Sequence, residues 1–115
     1  MKRTFIEFAT VTKVLWDNGV DAERIRETQI AIMRGSGDTV VGTGGLKKIR
    51  CGATGRGKSG GVRIVFADYP EAGYTIWLMA FPKNVQGNLS AAETQDLRKT
   101  KAYLDKLIRN RGVVS

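Results

Sequence analysis

Histidine is missing from this sequence, and cysteine occurs once, at Cys51. A metal centre built on imidazole or paired thiolates is therefore implausible, and no imidazole can serve as an acid or base. An internal disulfide cannot form, so a reducing compartment is the natural home. Long apolar runs are also absent: the longest, such as Ile76 to Phe81, fall far short of the ~20 residues a membrane-spanning helix needs. Glu7 soon interrupts the chain after the basic Met1-Lys2-Arg3 start, so no secretory signal is read there. A cytoplasmic location is expected. Acidic residues are missing from one long segment. None lies between Asp38 and Asp68, whereas Lys47, Lys48, Arg50, Arg56, Lys58 and Arg63 all do.

What is present fits an ordinary globular domain. The hydrophobic share is 42% and the charged share 26%, which disfavours disorder, and 115 residues suffice for a single domain with one core, spanning 1–115. Nineteen Lys and Arg against eleven Asp and Glu give a net charge of +8. With an isoelectric point near 10.0, such a chain favours a polyanionic partner, and nucleic acid is the most abundant one.

Patterning predicts an α+β fold. Thr4 to Phe8 starts like an edge strand, and Thr10 or Thr12 is placed to cap a short helix ending at Asn18-Gly19. Asp21 is a good N-cap for a second helix whose Ile25, Thr28, Ile32 and Met33 share a face, with Gly35 as its stop. The two make a helical hairpin over about 11 to 34. A short strand is expected at Thr39-Val40-Val41. A further strand over Leu46 to Cys51 puts Ile49 and Cys51 on one face and Lys48 and Arg50 on the other. Gly52 to Gly61 reads as a glycine-rich loop. Val62 to Tyr69 and Tyr74 to Phe81 read as a hairpin about the turn Pro70-Glu71-Ala72-Gly73. Ser90 and Glu93 form a capping box for a last helix with Leu97, Leu104, Leu107 and Ile108 as its apolar stripe, ending at Gly112. The expectation is a two-layer domain: an N-terminal strand and helical hairpin, an antiparallel sheet of about four strands, and a C-terminal helix.

The segment Gly52-Ala-Thr-Gly-Arg-Gly-Lys58-Ser59 spells the P-loop pattern letter for letter, and Ile64 to Asp68 resembles a magnesium-binding strand end. A P-loop wraps phosphates because a helix begins at its Lys-Ser. Here Lys58-Ser59 runs into Gly60-Gly61 and a β-branched, aromatic stretch, where no helix starts comfortably. The next strand also follows too soon for a parallel crossover. A nucleotide cofactor is not expected.

Three blocks in order resemble the RelE-type toxins of bacterial toxin–antitoxin systems, most closely the HigB branch. They are Gly42-Thr-Gly-Gly-Leu-Lys-Lys-Ile-Arg50, then Gly57-Lys-Ser-Gly-Gly-Val-Arg-Ile-Val-Phe66, then Trp77-Leu-Met-Ala-Phe-Pro-Lys-Asn84 followed by Asn88-Leu89-Ser90 and the helix. The resemblance covers residues 38 to about 108. It implies an endoribonuclease that cuts mRNA in the ribosomal A site without a metal or other cofactor and is silenced by a helix-turn-helix antitoxin of the HigA kind. In such toxins the substrate's 2′-hydroxyl attacks the neighbouring phosphate. A cluster of fixed positive charges suits the extra negative charge of that transition state.

Residue roles follow from the alignment. Arg63 matches the arginine that clamps the scissile phosphate, a task a guanidinium performs bidentately. Lys48 and Arg50 match a basic pair on one strand face, with Lys48 the candidate general base. Lys58 and Lys83 are expected on phosphate or at the leaving oxygen. Lys47 and Arg56, unless they are simply solvated surface, would grip flanking or ribosomal RNA, with Asn84 beside them and Phe81 offering a face to a base. Trp77 shares a strand face with Phe81 on strict alternation and is expected in the core. Cys51 reads as a small buried hydrophobe, and Tyr69 and Tyr74 as a pair across the hairpin. Many relatives carry a tyrosine near the last strand or on the final segment; Phe81, Pro82 and Ser90 stand there instead, so no phenol is offered for proton transfer. Two other functions stay open: a ParE-like inhibitor of DNA gyrase on the same scaffold, and a non-catalytic protein that only binds RNA or its antitoxin.

Overall fold

The computed structural model describes residues 2–53, 57–82 and 89–114. In chain order the elements are β1 (Thr4–Glu7), α1 (Ala9–Asp17), α2 (Ala22–Met33), β2 (Asp38–Thr39), β3 (Lys47–Ala53), β4 (Gly57–Tyr69), β5 (Tyr74–Pro82) and α3 (Ala91–Val114). The strands form one five-stranded sheet in the order β1-β5-β4-β3-β2. The α+β class is the expected one, with two differences. The sheet is one strand larger and mixed, because β1 runs parallel to β5 at the edge while all other neighbours are antiparallel. The helices also cover both faces, giving three layers instead of two.

The second difference has a clear cause in β4. Val62, Ile64 and Phe66 point to one side and pack with Val11, Leu15 and Ile32 of the helical hairpin. Val65 and Ala67 point to the other and pack with Leu97 and Leu104 of α3. A strand that is apolar on both faces needs cover on both. Leu107, by contrast, stays 41% exposed, so the buried stripe of α3 is narrower than its sequence pattern.

One irregularity changes which residues share a face. The β4–β5 register shifts between Val65 and Phe66: Val65 pairs with Met79, but Phe66 pairs with Trp77, leaving Leu78 as an extra residue. This bulge turns the strand by one position. Trp77 therefore joins the hairpin-side core and Phe81 the α3-side core, not one common face.

Helix boundaries follow local chemistry with some corrections. The Asp21 side chain accepts from the Arg24 N–H at 2.9 Å and caps α2 as expected. Neither Thr10 nor Thr12 caps α1. Its N-cap is Phe8, whose own N–H donates to the Trp77 carbonyl at 3.0 Å, so the sheet fixes where the helix begins. Thr12 instead donates to the Glu7 carboxylate at 2.8 Å. At α3 the capping box is reciprocal: the Ser90 N–H donates to Glu93 Oε1 at 2.9 Å and the Glu93 N–H to Ser90 Oγ at 3.1 Å. The helix runs on past Gly112 to Val114, where a stop was expected. β2 is only two residues long, although the Val40 N–H still reaches the Leu46 carbonyl at 2.8 Å in the same register.

Two polar ties hold the sheet and α3 in place. Arg3, on the β1 side, donates to Asp68 of β4 at 2.8 Å and to Thr75 of β5 at 3.0 Å, while Thr75 donates to the same carboxylate at 2.7 Å. Farther along, the Tyr69 hydroxyl donates to Asp105 of α3 at 2.7 Å, and Lys101 both donates to Asp105 and sits 5.2 Å from the Tyr69 ring centre. Tyr69 does pair with Tyr74 across the hairpin, yet it also anchors the helix.

The charges of this tie make α3 docking pH-dependent at both ends. Partial burial, then the hydrogen bond to Asp105, push the Tyr69 phenol well above its usual range. Burial alone would raise Asp105, but hydrogen bonds from Lys101 and Tyr69 and the attraction of Lys101 and Arg109 outweigh it and hold the carboxyl below its usual range. A depressed carboxyl stabilises above its unfolded value of about 3.9 and loses that contribution as pH falls through the lower folded value. A raised phenol stabilises below about 10 and loses its contribution as pH rises through the higher folded value. Thermal unfolding across pH should thus show Tyr69→Phe costing on the order of 1 kcal/mol at neutral pH. The gap to the wild type should close on the alkaline side. A pH-independent gap would contradict this tie.

Candidate functional site

Strand alternation sorts the basic residues of β3. Ile49 and Cys51 face the helical hairpin, so Lys48 and Arg50 face the α3 side. The register then lines up residues across three strands. Arg50 lies opposite Arg63, and Arg63 opposite Phe81; one step along, Lys48 lies opposite Val65 and Val65 opposite Met79. Partners in such rows are about 5 Å apart at the backbone. Two guanidinium groups directly opposite one another work against sheet stability by up to about 1 kcal/mol. A local rule broken in this way is characteristic of functional faces.

Beside the first turn of α3 this face opens into a cavity of about 270 Å³, lined by Lys48 and Arg63 with Val65, Phe81, Val41 and Thr94 among its walls. Phe81 is only 7% exposed and packs with Leu97 and Leu104, so its ring is a wall and not an open platform for a base. Arg50 is exposed beside the cavity, and Lys48 and Arg63 are half-buried. Two sequence features aim Arg63. β4 begins at Gly57, so most of the segment expected as a glycine loop is strand paired with β3. Within it Gly61 has φ +117°, and a Cβ there would sit 2.5 Å from the Cys51 carbonyl oxygen, against a register shift between Cys51 and Ala53. Only glycine fits this close approach two residues ahead of Arg63.

Part of the cavity wall comes from Thr39, Val40 and Val41, expected from sequence as a short strand and not as site residues. Thr43 is fully buried; its hydroxyl donates to the Val40 carbonyl at 2.7 Å and accepts from the Leu46 N–H at 3.1 Å. That clasp presents Val41, 90% exposed, at the edge of the cavity. Leu89 and Thr94 are further wall residues unforeseen from sequence. The signal was the run Gly42-Thr-Gly-Gly45, whose glycines let the loop pass close under α3. A Cβ on Gly42, at φ +86°, would lie 3.2 Å from Thr94.

The remaining expected residues fall as follows. Lys47 pairs with Phe66, so it lies on the hairpin face, away from the cavity. Lys58 lies on β4 near its start. Arg56, Lys83 and Asn84 lie outside the described residues. Cys51 is fully buried, burial pushes its thiol up, and its sulfur lies 3.7 Å from the Arg24 carbonyl, so it is an inert core residue. The P-loop reading fails on geometry: Lys58 and Ser59 belong to a strand antiparallel to β3, and the Asp68 carboxylate is taken by Arg3. Among the described residues, no three histidine, cysteine or acidic side chains gather to hold a metal ion, and no helix is long and apolar enough to cross a membrane.

These features together define a small α+β protein with a cationic cavity on one sheet face. The family model of the RelE toxin of the RelE/RelB toxin–antitoxin system matches residues 3–111. The chain belongs to that family and is a toxin of a toxin–antitoxin system. Membership implies an antitoxin partner, and toxins of the family are in general endoribonucleases acting on mRNA at the ribosome.

Two substitutions test how the site is held. Gly61→Ala should cost at least about 1–3 kcal/mol in chemical denaturation, through a left-side φ and a backbone clash. Thr43→Val should cost about 1–3 kcal/mol by leaving Val40 and Leu46 backbone groups without their buried partner. Thr43→Ser, which keeps the hydroxyl, should recover most of that loss. A loss confined to Thr43→Ser, with Thr43→Val unaffected, would show that the methyl group, and not the clasp, matters.

Proposed function

We propose that this protein is a HigB-type toxin whose single domain over 1–115 cuts mRNA on the ribosome by a metal-independent transesterification. The observation that carries the reading is one cavity lined by both Lys48 and Arg63, with Arg50 directly opposite Arg63. A scissile phosphate seated there meets Arg63 through two parallel hydrogen bonds to its non-bridging oxygens. Arg50 adds charge beside it. Lys48 is assigned as the group that accepts the proton of the 2′-hydroxyl as that oxygen attacks phosphorus. The bond to the 5′-oxygen breaks, leaving a 2′,3′-cyclic phosphate, and the leaving oxygen takes a proton in becoming a 5′-hydroxyl. Lys58 and Lys83 are assigned to that leaving oxygen, and Arg56 and Asn84 to the flanking strand. Fixed guanidinium and ammonium charges supply the stabilisation of the pentacoordinate state.

The same charge explains silencing. An acidic segment of a helix-turn-helix antitoxin of the HigA kind neutralises the cavity by the electrostatics that attract RNA. The reading places the protein in the reducing cytoplasm, where ribosomes and a free Cys51 are both at home.

Expression of Arg63→Ala in bacterial cells checks the assignment. The variant should fold, and its cleavage rate on ribosome-bound mRNA should fall by roughly 10²–10³-fold, as for loss of one preorganised donor to a developing anion. Growth arrest should be relieved. Arrest that persists undiminished, with relaxed DNA and intact message, would instead support gyrase inhibition.

A further inference from the structure

A second groove adjoins the cavity. It measures about 640 Å³ and is bounded by Gly42 and Leu89 on one side and by Thr94, Arg98, Lys99 and Ala102 of α3 on the other. Leu89 and Thr94 line both spaces, so the two adjoin at these residues. Its charge is of one sign. Arg98 and Lys99 are both exposed, and among the described residues neither is in an ion pair. At 3.6 residues per turn, Glu93 and Asp96 leave α3 on the side away from the groove. Between the cations the wall is formed by Ala91, Ala102 and the amide-bearing Gln95, with Leu89 as a further apolar wall residue. Apolar walls with cations spaced along them suit single-stranded nucleic acid, whose bases lie on the walls while its phosphates meet the charges.

We propose that this groove is an extended subsite for the RNA strand flanking the scissile phosphate, with Arg98 and Lys99 holding its backbone. The inference rests on the endoribonuclease reading, because the strand must leave the cavity past Leu89 and Thr94. It assigns to α3 the flanking-strand role that Lys47, on the opposite face, cannot serve at this cavity. The charges belong to a helix whose sequence mixes acids and bases, so only the fold separates them.

The test is binding of single-stranded RNA oligomers of two, four, six and eight nucleotides, 2′-O-methylated at each position to prevent cleavage, by fluorescence anisotropy over a salt range. Wild-type affinity should rise with length. Arg98→Ala/Lys99→Ala should leave the shortest oligomers unaffected and lose the gain from length, by about 25-fold for eight nucleotides at 0.1 M salt. That figure is two phosphate contacts at a slope of about 0.7 each over the decade from 1 M. The salt slope should fall by about 1.4. Arg63→Ala should weaken all lengths alike. If the double variant tracks the wild type at every length while Arg63→Ala is impaired, the groove is no subsite and the cavity assignment stands. An equal loss at all lengths would point to a general field effect and overturn the continuous-strand path. If the wild type binds none of them, the groove holds no RNA strand and this inference falls, while the endoribonuclease reading is decided separately by cleavage of message on ribosomes.

Discussion

The register of β3 on β4 is the constraint on which the site depends. With Arg50 opposite Arg63 and Ile49 opposite Ile64, every charged side chain of β3 between Lys48 and Arg50 lies on the α3 side. Every apolar one goes under the helical hairpin. A slip of one residue would bury Lys48 and Arg50 against Ile32 and Leu15 and turn Cys51 and Ile49 outward. The apolar side therefore fixes the register, and the fixed register brings two arginines face to face. The energy that tolerates this repulsion comes from Cys51, Val62, Ile64 and Phe66, all fully buried on the opposite side. Site and core are the two faces of one pairing.

The third layer turns that basic face into a cavity. α3 covers Val65, Ala67 and Leu78 but leaves Lys48 and Arg63 beside its first turn, where Thr39, Val40, Val41 and Leu89 supply further wall. The helix is held at two separated places, by the Ser90–Glu93 cap at its start and by Tyr69 through Asp105 and Lys101 farther along. Neither tie touches the cavity cations directly. Both set the position of Thr94 and therefore the shape of the opening.

Much of this was legible in the sequence because it is periodic or local. The alternation of β3, the Asp21 cap, the capping box of α3 and the β4–β5 hairpin all follow from patterns a few residues long. The P-loop spelling carries no weight on the same grounds, since β-branched residues after Gly60-Gly61 continue a strand. What was not legible depends on partners far apart in the chain. The bulge that separates Trp77 from Phe81 shows only in the pairing of β5 with β4, and strict alternation hides it. The parallel placement of β1, the second covered face and the fate of Lys47 are likewise decided by neighbours remote in sequence. For the site, Lys48, Arg50 and Arg63 were readable as a set. The Thr43 clasp was not, because a threonine among glycines looks like loop until its hydroxyl is seen bridging Val40 and Leu46.

Toxins of the family are in general endoribonucleases, and the nature of the RNA ends decides whether the chemistry proposed for this cavity is the one drawn here. The most direct measurement incubates purified toxin with programmed ribosomes and maps the cut message, with and without a 2′-deoxy substitution at the cut position. The account predicts a 2′,3′-cyclic phosphate upstream, a 5′-hydroxyl downstream and no cutting of the 2′-deoxy message. A 5′-phosphate at the downstream end, or cutting that survives removal of the 2′-hydroxyl, would contradict it.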